Sequence, residues 1–236
     1  MVLHTLEDHR AFKAMQQNPK PTETSKEIRI AAGHVELEAT LALPAGCKRV
    51  VIFAHGSGSS RLSPRNRFVA KALSERQIGT LLVDLLTPKE DRDYEARFDI
   101  DLLAKRLTSI TAWLNRRPGQ KLSSIGLFGA STGAAAALKT AAEAGRGIRA
   151  VVSRGGRPDL AEDLQRVQCP TLLIVGGDDL DVLKLNRDAF QKLTCQKELN
   201  IVDGATHLFA EPGKLEEVAR LAGDWFERYL KNVALA

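Results

Sequence analysis

The feature that most limits how this chain can fold is a set of five short apolar runs. They are RVVIFAHG (49–56), GTLLVDL (79–85), SSIGLFG (123–129), IRAVVS (148–153) and PTLLIVGG (170–177). Each is rich in β-branched or aliphatic residues and nearly uninterrupted by polar ones. Strands that are apolar on both faces belong inside a sheet covered by helices on both sides. Helical patterns lie between the runs. PRNRFVAKALSER (64–76) starts at a proline and repeats apolar residues at Phe68, Val69, Ala72 and Leu73. The segment 97–117 spaces Ile100, Leu103, Leu107, Ile110 and Leu114 at helical intervals, an alanine-rich stretch follows Ser131, and KLNRDAFQKL (184–193) and KLEEVARLAGDWFERYL (214–230) complete the set. Alternation of this kind predicts an α/β domain with a mostly parallel central sheet and helices on both faces. HVELEATLALP (34–44) alternates apolar and polar residues instead, which predicts a half-buried strand of an edge hairpin.

The sequence divides into a polar leader, residues 1–24, and one domain, residues 25–236. The leader ends in NPKPTETS, whose prolines disfavour helix, so it reads as a short helix followed by an extended linker. At 236 residues with 44% hydrophobic residues, the chain can build one sizeable core. It contains no run of 18 uncharged apolar residues, and its acid-bearing start does not resemble a secretory signal; no membrane association is expected. Cys47, Cys169 and Cys195 are odd in number and form no metal-binding spacing, which points to a reducing cytoplasm and to no bound metal. The net charge of +5 is dispersed, as on a solvated surface rather than a nucleic-acid face. Segment 97–117 is a candidate dimer surface, although its apolar spacing is equally that of a core helix.

Within this frame, LFGASTGAAAALK (127–139) carries Gly129, Ser131 and Gly133 between an apolar run and a helix. A serine on a sharp strand-to-helix turn needs small neighbours, and G-x-S-x-G in that setting is the pattern of a nucleophile elbow. The competing reading is a helix-capping serine. A serine nucleophile needs a base and an acid, expected in the order acid then histidine. The sole histidine after Ser131 is His207, in a loop before the last helix. Asp178, Asp179 and Asp181 follow the run 170–177; Asp179 is preferred and Asp181 is next, the others serving as first-turn acids of the following helix. Acyl transfer also needs donors for a developing oxyanion, and the backbone N–H groups of Ser57, in AHGSGSS, and Thr132 are the candidates. His55 reads as a turn residue. The loop 56–61 fits no phosphate-cradling motif, and no cofactor is expected. Arg61, Arg65 and Arg154, with Arg157, stand at strand ends where they could recognise a carboxylate or phosphate.

Taken together, FAHGSGSS, GLFGASTGAAAAL, LLIVGGDDLDVL and DGATHLFAEPGKLEEV resemble the α/β-hydrolase fold, and within it the dienelactone hydrolase-like group. The resemblance runs from about residue 28 to residue 230, and it also extends to hydrolase-like domains that some bacteria fuse to a phosphoribosyltransferase. It implies that Asp179, at the aspartate of G-x-x-D-x-x-V, is the acid. Dienelactone hydrolases proper carry cysteine where this chain has Ser131, so a serine esterase is the better expectation. The stretch 154–169 is too short for a large lid, which implies an open site for small or short-chain esters. Thioester cleavage or acyl transfer to another acceptor shares the same first step, and a non-catalytic binding module could retain the same fold.

Overall fold

The computed structural model describes residues 25–117 and 122–231; the proposed leader lies outside the described residues. Thirteen main elements follow in chain order. They are β1 (Ser25–Ala32), β2 (Val35–Ala42), β3 (Arg49–Ala54), α1 (Pro64–Glu75), β4 (Gly79–Val83), α2 (Ile100–Asn115) and β5 (Ser124–Ala130), then α3 (Thr132–Ala144), β6 (Ala150–Arg154), β7 (Thr171–Gly176), α4 (Leu180–Lys192), β8 (Lys197–Val202) and α5 (Lys214–Tyr229). The eight strands form one sheet in the order β1-β2-β4-β3-β5-β6-β7-β8. The β1–β2 and β2–β4 pairs are antiparallel and the other pairs are parallel.

The apolar runs behave as their composition requires. β4, β5, β6 and β7 are buried along their whole length. One face of the sheet carries α2, α3 and α4 over a core that includes Ile52, Leu81, Leu107, Leu127 and Leu173. The other carries α1 and α5 over Phe53, Phe128, Val152, Phe209 and Phe226. The apolar stripe of α2, from Ile100 to Leu114, is buried in the first of these cores. Removing aliphatic surface from water on both faces is the main force holding the layers together, at about 25 cal/mol per Å².

The strand in 34–44 does belong to an edge hairpin: β2 pairs with β4 on one side and with β1 on the other, and β1, which the sequence reading left out, forms the edge itself. SKEIRIAA hid this role, because its charges and short alternation suit an outer strand and weaken the strand signal. At the far side β8 is the opposite edge, half-exposed along most of its length. Between β6 and β7 the chain makes only two short 3₁₀ turns, Pro158–Leu160 and Leu164–Arg166, and no large lid is inserted there. Among the described residues no helix is long and apolar enough to cross a membrane.

Candidate active site

All parallel strands point their carboxyl ends toward one rim, where side chains from separate loops can converge. Ser131 sits there, between β5 and α3, with φ 51° and ψ −122°. Positive φ is costly for a residue with a Cβ. The turn is enforced by its neighbours: a Cβ at Gly129 would overlap the backbone of Ala134, and one at Gly133 would overlap the carbonyls of Ala54 and His55. The Ser131 side chain makes no N-capping hydrogen bond. The capping alternative therefore fails, and the hydroxyl is left available.

His207 follows β8 and Asp179 follows β7, its parallel neighbour. His207 Nδ1 lies 2.7 Å from Asp179 Oδ2, with Asp179 largely buried and His207 partly exposed. Two backbone bonds stitch the loops together: Gly177 N–H donates to Val202 O at 2.9 Å and Asp178 N–H to Ala205 O at 3.0 Å. Both Asp178 and Asp181 are exposed. The pairing of Nδ1 with a carboxylate places its proton there and leaves Nε2 as the acceptor.

The turn after β6 touches both groups. Ser131 N–H donates to Arg154 O at 3.2 Å, and Arg157 N–H donates to Ser131 O at 3.1 Å. A Cβ built on Gly155 would lie 3.5 Å from Cε1 and Nδ1 of His207. Ser131 and the imidazole thus share the 154–157 turn as a common floor, although no hydrogen bond joins Ser131 Oγ to His207 among the described residues. Unliganded sites often hold such pairs apart until substrate arrives. Sequence reasoning missed this floor; the adjacent glycines of RGGR were its one signal.

Other expectations are altered. The Ser57 N–H is not free: it donates to Thr132 Oγ1 at 2.8 Å, bridging the loop after β3 to the start of α3. Thr132 N–H, at the first position of α3, has no intrahelical acceptor. His55 is a structural residue. Its Nε2 accepts from Leu85 N–H at 3.2 Å, and its Nδ1 then donates to Gly56 O at 3.0 Å. The guanidinium of Arg61 is fully committed, with Nε to Glu27 at 3.3 Å, Nη2 to Glu38 at 2.8 Å and Nη1 to Asp84 at 2.7 Å. Burial opposes its charge, but Asp84 and the two glutamates outweigh this and raise its pKa. Arg61 therefore leaves the substrate-binding set. Arg157 forms a two-pronged pair with Asp159, at 2.8 and 2.7 Å. Among the described residues Arg65 and Arg154 have no acidic partner. A crevice of about 10 Å³ runs beside Gly56, Ser57 and Thr132, walled by Leu86, Leu103 and Arg97.

With this geometry in place, the relatives become informative. The family model described as "Dienelactone hydrolase family" matches residues 71–233. This chain belongs to the dienelactone hydrolase family. A dienelactone hydrolase crystal structure from Anabaena variabilis is 50% identical, with a TM-score of 0.84, covering 88% of this chain and 100% of that one. A Mycobacterium tuberculosis protein bearing the name "Putative phosphoribosyl transferase" is 50% identical over 226 residues, 94% of this chain. The present chain spans 51% of that relative's length. Xanthomonas campestris XC6422, described as an α/β serine hydrolase without lid, is 22% identical with a TM-score of 0.72, covering 89% of this chain and 97% of that one, and shares the fold. The chain thus combines membership of the dienelactone hydrolase family with an α/β-hydrolase fold.

Proposed function

We propose that the chain is a serine hydrolase that cleaves small or short-chain carboxylic esters through an acyl-enzyme. Ser131 is the nucleophile, His207 the general base and Asp179 the group that fixes the imidazole. The observation that carries the reading is the 2.7 Å Asp179–His207 contact resting on the same turn that anchors the strained Ser131.

The chemistry follows from these groups. His207 Nε2 takes the hydroxyl proton as Ser131 Oγ bonds to the ester carbonyl carbon. Asp179 stabilises the imidazolium without taking its proton. The carbonyl oxygen becomes an oxyanion, met by Thr132 N–H at the positive end of α3. The Ser57 N–H joins by exchanging its Thr132 acceptor for that oxygen. Collapse breaks the ester C–O bond, and His207 returns the proton to the departing alcohol. Water, deprotonated by His207, then cleaves the acyl–Ser131 bond. The absence of a large insertion after β6 supports an open site that admits small or short-chain esters. The phosphoribosyl transferase name describes chains about twice as long and is not carried over to this one.

A fluorophosphonate probe should label the wild type and not Ser131→Ala, with acetate and butyrate esters hydrolysed by the wild type alone. Hydrolysis retained in Ser131→Ala would refute the assignment. Release of an alkyl ester in place of acid, when alcohol is added, would mark an acyltransferase.

A further inference from the structure

The arginines at the rim fall into two groups. Arg61, Arg97 and Arg157 each face carboxylates. Among the described residues Arg154 and Arg65 do not. Arg154 closes β6 and is only 7% exposed, yet its Nε and Nη1 are buried without a hydrogen-bond partner. Arg65, in the first turn of α1, has a buried Nε in the same condition. The two guanidinium groups lie near enough to repel each other. Burial, followed by this repulsion, lowers the pKa of Arg154 to about 9. Its guanidinium lies over the face of Phe209, 5.8 Å away, a ring two residues beyond His207. A buried cation without a counter-charge is costly and is normally paired. This chain pairs its other rim arginines, so the exception marks a place where charge is to be supplied from outside.

We propose that Arg154 and Arg65 form a binding site for a dianionic phosphate group carried by the alcohol portion of the ester substrate. The proposal rests on the Ser131 reading and deepens it. Two unneutralised guanidinium groups match a charge near −2 better than the single charge of a carboxylate, and guanidinium donors suit phosphate oxygens. Position agrees as well. The Arg154 carbonyl holds Ser131 N–H, so the site borders the nucleophile. Leu86 and Leu103, beside Ser57 and Thr132, belong to the core on the α2–α3 face, whereas Phe209 and α1 belong to the opposite face. The ester then straddles the end of β5, with a short acyl group on one side and the phosphate-bearing alcohol on the other. The phosphate stays intact throughout; the bond broken is the carboxylic ester.

The test uses three acetate esters alike except for a neutral, a carboxylate or a phosphate monoester group on the alcohol, assayed at neutral pH. Wild type should show kcat/KM at least tenfold higher for the phosphate ester than for the other two. Arg65→Gln, at a half-buried position, should lower the phosphate-to-neutral ratio at least tenfold, and Arg154→Lys should lower it in part. Inorganic phosphate should raise the Tm of the wild type but not of Arg65→Gln. Equal rates on the three esters, a ratio unchanged in Arg65→Gln, or preference for the carboxylate would overturn the proposal while leaving the esterase reading intact. If no ester is cleaved but phosphate raises Tm through Arg65, the binding site stands and the esterase reading fails.

Discussion

Replacing Ser131 by glycine should stabilise the protein relative to replacing it by alanine. The backbone there holds φ 51° and ψ −122°, a conformation that disfavours any Cβ. Alanine removes the hydroxyl, which makes no hydrogen bond, but keeps the Cβ and therefore the strain. Glycine removes both. Strain of this kind costs about 1–3 kcal/mol, while the freer unfolded glycine chain takes back about 0.4–1 kcal/mol. The Ser131 Cβ also touches the loop after β3, where a Cβ at Gly56 would lie 3.0 Å from it, so losing it forfeits some packing. The net gain is about 1 kcal/mol, which for a chain of this size is a Tm rise of about 2–4 °C. Thermal unfolding of the two variants, followed by circular dichroism, reads this directly, and neither should cleave esters. A Tm for Ser131→Gly equal to or below that of Ser131→Ala would refute the claim that the turn is strained and that function maintains it.

Asp179→Asn should keep the fold but reduce kcat by about four powers of ten with little change in KM, because it loses the carboxylate that fixes the Nδ1–H tautomer; steady-state kinetics on an acetate ester decide it. Arg61→Gln should lower stability by about 1–3 kcal/mol, by leaving Glu27, Glu38 and Asp84 facing one another, with ester selectivity unchanged; a urea titration beside the three-ester assay checks both. Burial raises the Cys169 thiol from its ordinary value of 9.0 to about 12, so the unfolded chain loses its proton first. The thiol's contribution is thus intact below pH 9 and falls as pH rises from 9 to 12. Cys169→Val, which has no thiol to ionise, should reduce the drop in urea midpoint between pH 8 and pH 10.

Much of the fold was readable because strands apolar on both faces carry their burial in their composition. Ser131 and Asp179 stood out as candidates because each lies just beyond such a run, and the end of a parallel strand is a definite place, whereas His207, after the half-exposed β8, stood out as the sole histidine following Ser131. What escaped depended on partners remote in sequence. Arg61 looks free until β1, β2 and the loop after β4 bring Glu27, Glu38 and Asp84 to it. Ser57 looks like an open donor until Thr132, 75 residues away, accepts its N–H. The edge role of β1 was hidden for a related reason: an outer strand needs fewer apolar residues, so its signal is weaker.

The order of strands also divides the machinery mechanically. The carboxylate and imidazole ride together on the outermost pair, β7 and β8, whereas the serine is seated mid-sheet on β5. The seam between these two blocks is the short β6–β7 pairing, which runs only from Val151↔Thr171 to Arg154↔Ile174. Flexing along that seam would carry acid and base toward or away from the hydroxyl as one piece, leaving their mutual contact intact. Acid and base thus belong to one block of the sheet and the nucleophile to the next.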